Sequence, residues 1–183
     1  MTKSLLLCAS LAIASCANTI AFIGDSHFAG KILPNTVAEQ LKSEANIFAK
    51  NGRKASEIKN DAAVRMKNRT KDSDQYMIMF GANELAIDVK PVDYATDIRR
   101  VLNLIDSRKR IYVLVPFLKR NDATANEYAK ILKLVIAQDK PNVKIIDTRL
   151  CDIEYSRDNV HLTANGYKKL GLCVASLVKT PSY

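Results

Sequence analysis

From Thr19 onward the chain switches between two hydrophobic periods. Short, mostly apolar runs have the length and composition of buried strands: TIAFI (19–23), NIFAK (46–50), QYMIMF (75–80), RIYVLVPF (110–117) and VKIID (143–147). Between them lie segments of helical length with apolar residues three and four apart, near 31–42, 54–69, 92–107, 124–139 and 163–178. In the last of these Tyr167, Leu170, Val174, Leu177 and Val178 share one face, while Lys168, Lys169 and Lys179 fall off it. Pro91 marks the start of the third helix and Thr163 is placed to cap the last.

Strand–helix alternation of this regularity predicts βαβ units and a parallel sheet covered on both faces. The expected architecture is α/β, a three-layer α/β/α, flavodoxin-like domain with a five-stranded parallel sheet. In such sheets ligands bind beyond the carboxyl ends of the strands, near the switch in strand order. Chemistry is therefore to be sought in the loops that follow the strands.

The opening residues, MTKSLLLCASLAIASCA, read differently. Lys3 supplies a basic start, Leu5 to Ala14 a short apolar stretch, and Ser15 and Ala17 small residues, the pattern of a signal peptide over 1–17. The stretch is short of the ~20 apolar residues that span a bilayer. A buried N-terminal strand or helix is the structural alternative. Two cleavage sites compete: Ser15-Cys16-Ala17 resembles an ordinary signal-peptidase site, and Ile13-Ala14-Ser15-Cys16 a lipobox that would leave Cys16 lipidated and membrane-associated. Both place the mature domain, 18–183, outside the cytoplasm, in the periplasm, the envelope or the medium. There Cys151 and Cys173 form an even pair in an oxidising compartment. Cys173 lies on the apolar side of the last helix and Cys151 just beyond the fifth strand, so a disulfide is expected between them.

The loop after the first strand is GDSH and carries Ser26. Gly-Asp-Ser by itself is ordinary turn chemistry. The chain has only two histidines, His27 and His161. His161 stands three residues after Asp158 in DNVHLTANGY, a spacing that lets the carboxylate bond one ring nitrogen and leaves the other to take a proton from a serine. His27 adjoins Ser26, and neighbouring side chains point apart; it is expected to line the pocket or to cap a helix start. The loops after the second and third strands offer NG, with Gly52, and GANE, with Asn83.

Taken together, these blocks resemble the SGNH (GDSL-type) hydrolases, a family named for a Ser, a Gly, an Asn and a His in four such loops. The resemblance runs from Thr19 to about Val178. IGDSH is similar to the first block, NG to the second, FGANE to the third and DNVHLTANGY to the fourth. It implies Ser26 as nucleophile, His161 as base and Asp158 as its partner. It also implies an oxyanion hole built from the Ser26 and Gly52 N–H groups and the Asn83 amide. No metal or other cofactor is implied, and no Cys/His ligand spacing for one is present. His27 stands where the family has Leu, and Glu84 where it has Asp, so the loop presenting Asn83 is expected to be braced differently.

The net charge of +9 changes the picture of the substrate. Lys50 to Lys71 is crowded with cations, among them Arg53, Lys54, Lys59, Arg65, Lys67 and Arg69. The segment is either a solvated helix face or a surface attracted to an anionic polymer or lipid headgroup. Nucleic acid is not expected, because no aromatic platform accompanies the cations. The short loops leave no room for a lid. The leading expectation is an exported serine esterase removing O-acetyl or similar small acyl groups from an envelope carbohydrate. The alternatives are a lysophospholipase or thioesterase of the same family, and a non-catalytic flavodoxin-like binding module at the cell surface.

Overall fold

The structure is a computed structural model, and it describes residues 18–119, 122–136 and 140–180. Five strands form one sheet: β1 (Asn18–Gly24), β2 (Ser43–Ala49), β3 (Gln75–Met79), β4 (Arg110–Leu114) and β5 (Val143–Ile146). All neighbours are parallel and the order is β2-β1-β3-β4-β5. The helices are α1 (Ser26–Ala29), α2 (Ile32–Gln40), α3 (Asp61–Thr70), α4 (Ala82–Ala86), α5 (Pro91–Leu102), α6 (Asp122–Ile136) and α7 (Ala164–Lys179). The expected α/β, flavodoxin-like sheet is thus the observed one. The proposed signal peptide and Cys16 lie outside the described residues.

The strands are apolar on both faces because helices cover both. Ile20, Phe22, Met77, Met79, Tyr112 and Leu114 point into a core shared with Phe28, Leu33 and Val37 of α1 and α2 and with Leu170 and Val174 of α7. Their alternating neighbours Ala21, Ile23, Tyr76, Ile78, Ile111 and Val113 meet Met66 of α3, Ala95 and Ile98 of α5 and Tyr128 and Leu132 of α6. The period of two distributes one sequence between two cores. Each large apolar side chain buried there contributes ~1.5–3 kcal/mol.

Several boundaries differ from the sequence pattern. β2 begins at Ser43 rather than at residue 46; it is an edge strand, half exposed throughout, so its apolar signal is weak. The segment expected to be helical from 54 instead makes a short 3₁₀ turn at Ala55–Glu57 and enters α3 only at Asp61. Ala55 and Ile58 are buried by tertiary contacts rather than on a helix face. β4 ends at Leu114, and Val115 to Leu118 continue as buried irregular chain, tied to β5 by the Val115 N–H donating to Ile146 O at 2.9 Å. The expected helix near 31–42 is α2, and ahead of it the loop after β1 adds the single turn α1, set off from α2 at Gly30–Lys31, where Lys31 has φ 66°.

Strand order reverses beside β1, between its neighbours β2 and β3, and this opens a crevice at the carboxyl end of the sheet. Gly24 closes β1 there. A Cβ at this position would stand 2.3 Å from Met79 O, so only glycine lets the two backbones approach. The following Asp25 N–H donates to the same carbonyl at 3.3 Å. The bend that presents Ser26 is therefore fastened to the central strand.

Candidate active site

Four loops converge on a cavity of about 430 Å³ at this crevice, lined by Ser26, Ala29, Gly30, Asn51, Gly52, Asn83, Val160, His161 and Tyr167. The His161 Nε2 lies 3.0 Å from Ser26 Oγ. On its other side His161 Nδ1 lies 2.6 Å from Asp158 Oδ2. Three residues that sequence spacing singled out thus form one hydrogen-bonded chain, although Ser26 and His161 are 135 residues apart.

The segment carrying His161 is shaped by its own polar side chains. Asp158 Oδ1 accepts from the Ser156 hydroxyl at 2.7 Å and from the Val160 and His161 N–H groups at 2.9 Å each. Ser156 N–H donates to His161 O at 2.8 Å, and Tyr155 and Leu162 pair as a single antiparallel bridge. Thr163 caps α7 as expected, accepting from the Gly166 N–H at 2.9 Å. The bond from His161, then those from Ser156 and the backbone, hold the Asp158 carboxyl well below the usual carboxylate range, so it stays ionised. An ionised Asp158 fixes the proton on Nδ1 and leaves the Nε2 lone pair facing Ser26.

The opposite wall supplies donors. Gly52 has φ +73°, a conformation that favours glycine, and it sits in the turn after β2. Among the described residues, neither the Ser26 nor the Gly52 backbone N–H is hydrogen-bonded. Asn83 Nδ2 donates one hydrogen to Arg53 O at 3.1 Å, which orients the amide and leaves its second N–H available at the cavity. Glu84 explains the brace: it is buried, and its Oε1 accepts from the Ala55 N–H at 2.7 Å. One glutamate thus ties the loop after β3 to the loop after β2, setting Asn83 against Gly52. With α1 only one turn long, helix-dipole stabilisation at Ser26 is small. The individual N–H donors carry the anion-stabilising potential instead.

His27 departs from expectation. It neither lines the cavity nor caps a helix with its side chain; it is buried against Phe117, with ring centroids 4.8 Å apart. Its Nδ1 meets the Tyr167 hydroxyl at 3.1 Å, and Nε2 has no partner among the described residues. Burial, then the neighbouring His161, push its pKa down to about 3, so it is neutral across the working range. Its place is behind the site, because the residue after Ser26 points away from it. Tyr167, read in the sequence as a core position of the last helix, instead lines the cavity and joins His27 to it.

Asp25 is fully buried and caps α1, with Oδ1 accepting from the His27 N–H at 3.0 Å and Oδ2 unpartnered among the described residues. Burial raises its pKa from the ordinary 3.8 to about 7, opposed by the His27 N–H bond and reinforced by Glu84. A raised folded pKa gives stability that is lost as pH climbs from about 4 through 7; the depressed value of His27 gives stability lost as pH falls from 6.5 towards 3. The two slopes oppose each other between about pH 4 and 6.5. Asp25→Asn should unmask the histidine. Relative to the parent, its unfolding free energy should rise between pH 4.5 and 6.5 by up to about 1.4 kcal/mol per pH unit. Urea denaturation at the two pH values measures this, and parallel profiles for the two proteins would refute the buried-acid assignment.

No family model matches the sequence, and no curated protein does either. Solved structures do. The aryl esterase of M. smegmatis superposes with a TM-score of 0.71 at 17% identity, covering 89% of this chain and 99% of its own. A lipase/acylhydrolase from Enterococcus faecalis gives 0.71 at 20% identity, over 91% and 99%. Est24, a carbohydrate acetylesterase from Sinorhizobium meliloti, gives 0.71 at 16%, over 88% and 98%. The chain has the α/β fold of these hydrolases, as the resemblance to the SGNH family implies.

Proposed function

We propose that the protein is a serine esterase that removes O-acetyl or similarly small acyl groups, and that it works outside the cytoplasm on an envelope carbohydrate. The observation that carries this is the Asp158–His161–Ser26 hydrogen-bonded chain, set across one cavity from Gly52 and Asn83. His161 takes the Ser26 proton as Oγ attacks the ester carbonyl. The developing oxyanion is met by the Ser26 and Gly52 N–H groups and the Asn83 amide. His161⁺, stabilised by Asp158, then protonates the leaving alcohol, and water hydrolyses the acyl-enzyme by the same route in reverse.

Acyl size follows from the lining. Ala29, Val160 and Tyr167 are the apolar members of this cavity, and glycines and polar groups make up the rest, a lining that suits a small acyl group. The His161 and Asp158 side chains are about half exposed, which gives a shallow site that suits an ester displayed on a large molecule. The named neighbours include a carbohydrate acetylesterase, which supports the same reading. Extracytoplasmic location rests on the leader-like sequence 1–17 and on the Cys151–Cys173 disulfide.

A chain-length series of p-nitrophenyl esters, set beside acetate release from acetylated polysaccharide, tests this. The expected result is highest kcat/KM for acetate, falling steeply as the acyl chain lengthens. A maximum at eight carbons or more would transfer the assignment to a lysophospholipase or thioesterase. No turnover of any ester, with no labelling of Ser26 by a fluorophosphonate, would leave a binding module.

A further inference from the structure

A second hollow, of about 690 Å³, adjoins the catalytic cavity and shares Ala29 with it. It lies between α1, β2 and α3 and is lined by Lys31, Arg53, Arg65 and Arg69, with Phe48 among its apolar contacts. Such concentration of one sign in a concave site raises local anion occupancy. Among the described residues none of these four cations is in an ion pair. Glu57 offsets Arg53 in part, whereas Arg65 repels it. The Arg53 guanidinium lies over the Phe48 ring, 4.7 Å from its centroid, and is half-buried. A partly desolvated Arg53 backed by the exposed Arg65 and Arg69 is positioned for carboxylate or phosphate oxygens.

The connection to the chemistry is covalent and short. Arg53 follows Gly52, and its carbonyl accepts the Asn83 amide hydrogen. The loop that supplies the oxyanion donors therefore also places the innermost cation of the hollow. An ester held at Ser26 would continue along its carrier molecule past Ala29 into this basic hollow.

We infer that this hollow is a subsite for the anionic groups of the carrier, and that the substrate is an O-acylated glycan bearing carboxylate or phosphate on units next to the acylated one. The subsite rests on the esterase reading for its substrate, but not for its ability to bind anions. A glycan strand is favoured over a bilayer because the cations ring a hollow, and a flat surface would not reach the Arg53–Phe48 floor.

The test compares three polymers of equal acetyl content: acetylated polygalacturonate, acetylated xylan that has been phosphorylated, and acetylated xylan itself. The parent protein should show a KM lower by about tenfold or more on at least one charged polymer than on the neutral one, the worth of one charge-assisted hydrogen bond. That advantage should vanish in about 0.5 M NaCl. Which charged polymer gains tells carboxylate from phosphate. Arg65→Ser/Arg69→Ser, on exposed positions of α3, should remove the advantage, whereas the charge-matched Arg108→Ser/Arg110→Ser at the far end of the sheet should keep it. Equal KM on all three polymers, equal loss in both double variants, or tighter binding to phosphatidylglycerol vesicles than to polymer would each overturn the proposal. p-Nitrophenyl acetate is run alongside to judge the esterase reading separately. If it is not turned over, calorimetry with unacetylated polygalacturonate and phosphorylated xylan decides the subsite: binding of either that is lost in Arg65→Ser/Arg69→Ser supports it, and no binding of either by the parent rejects it.

Discussion

Ser26→Ala should abolish ester turnover while leaving the fold intact. The loss expected in kcat is about 10⁴-fold or more, by analogy with serine hydrolases in which nucleophile and base act as one unit. His161→Ala should lose about as much, and the double variant little more than either, because each alone breaks the same proton transfer across the 3.0 Å contact. Asp158→Asn should lose less. The Ser156–His161 backbone bond and the Tyr155–Leu162 bridge still hold the segment, so the His161 ring keeps its place even with the wrong partner at Nδ1. Asn83→Ala removes one oxyanion donor and should cost ~3 kcal/mol of transition-state stabilisation, with KM much less affected. Fluorophosphonate labelling and steady-state kinetics with p-nitrophenyl acetate measure all five. Near-normal turnover in Ser26→Ala would end the esterase reading.

Most of this arrangement is legible in the sequence because the candidate site residues lie at chain positions that secondary structure dictates. A strand that is apolar on both faces announces itself as TIAFI or QYMIMF, and the loop after it is where the sheet delivers a side chain. Ser26, Gly52 and Asn83 could thus be found by counting strands, and His161 by its distance from Asp158. What could not be read depends on packing between distant segments. Glu84 looks like a first-turn helix acid, and only the fold brings Ala55 within 2.7 Å of it. Tyr167 sits on the apolar stripe of α7 with residues that are indeed core, and its contact with His27 spans 140 positions. The extra turn α1 ahead of α2 also escaped the pattern, since Lys31 between them adopts a left-handed conformation that its residue type does not signal. The basic hollow shows the intermediate case. Its cations were visible as a run, but whether they faced solvent at random or gathered beside the Gly52 loop was set by the packing of α3 against β2.

Replacing both cysteines, in Cys151→Ala/Cys173→Ala, should destabilise the protein by about 3 kcal/mol. The bond observed between them joins residues 22 apart, and loop-closure entropy for a loop of that length gives this figure. For a domain of this size such a loss lowers the melting temperature by roughly 10 °C. The consequence for activity follows from what the loop contains. Cys151 is held in the core beneath the sheet's last strand, Cys173 lies on α7, and the chain between them carries Ser156, Asp158 and His161. Without the bond, this segment keeps the packing of Ile153, Tyr155 and Leu162 against the core, and its side-chain ties to α7 are polar. Glu154 accepts from the Thr163 hydroxyl and the Asn165 amide at 2.8 Å each, and Lys169 reaches Asp152 at 3.0 Å. Exposed pairs of this kind contribute little against chain entropy. The segment should therefore open locally before the sheet unfolds. Heat inactivation of the double variant should precede its loss of far-ultraviolet dichroism by several degrees, while the two midpoints coincide in the parent. Coincident midpoints in the variant would mean that this packing and the polar ties hold the base in place unaided. Free thiols on Cys151 and Cys173 in unreduced protein recovered from the periplasm or medium would remove the premise, while leaving the assignment of Ser26 and His161 unaffected.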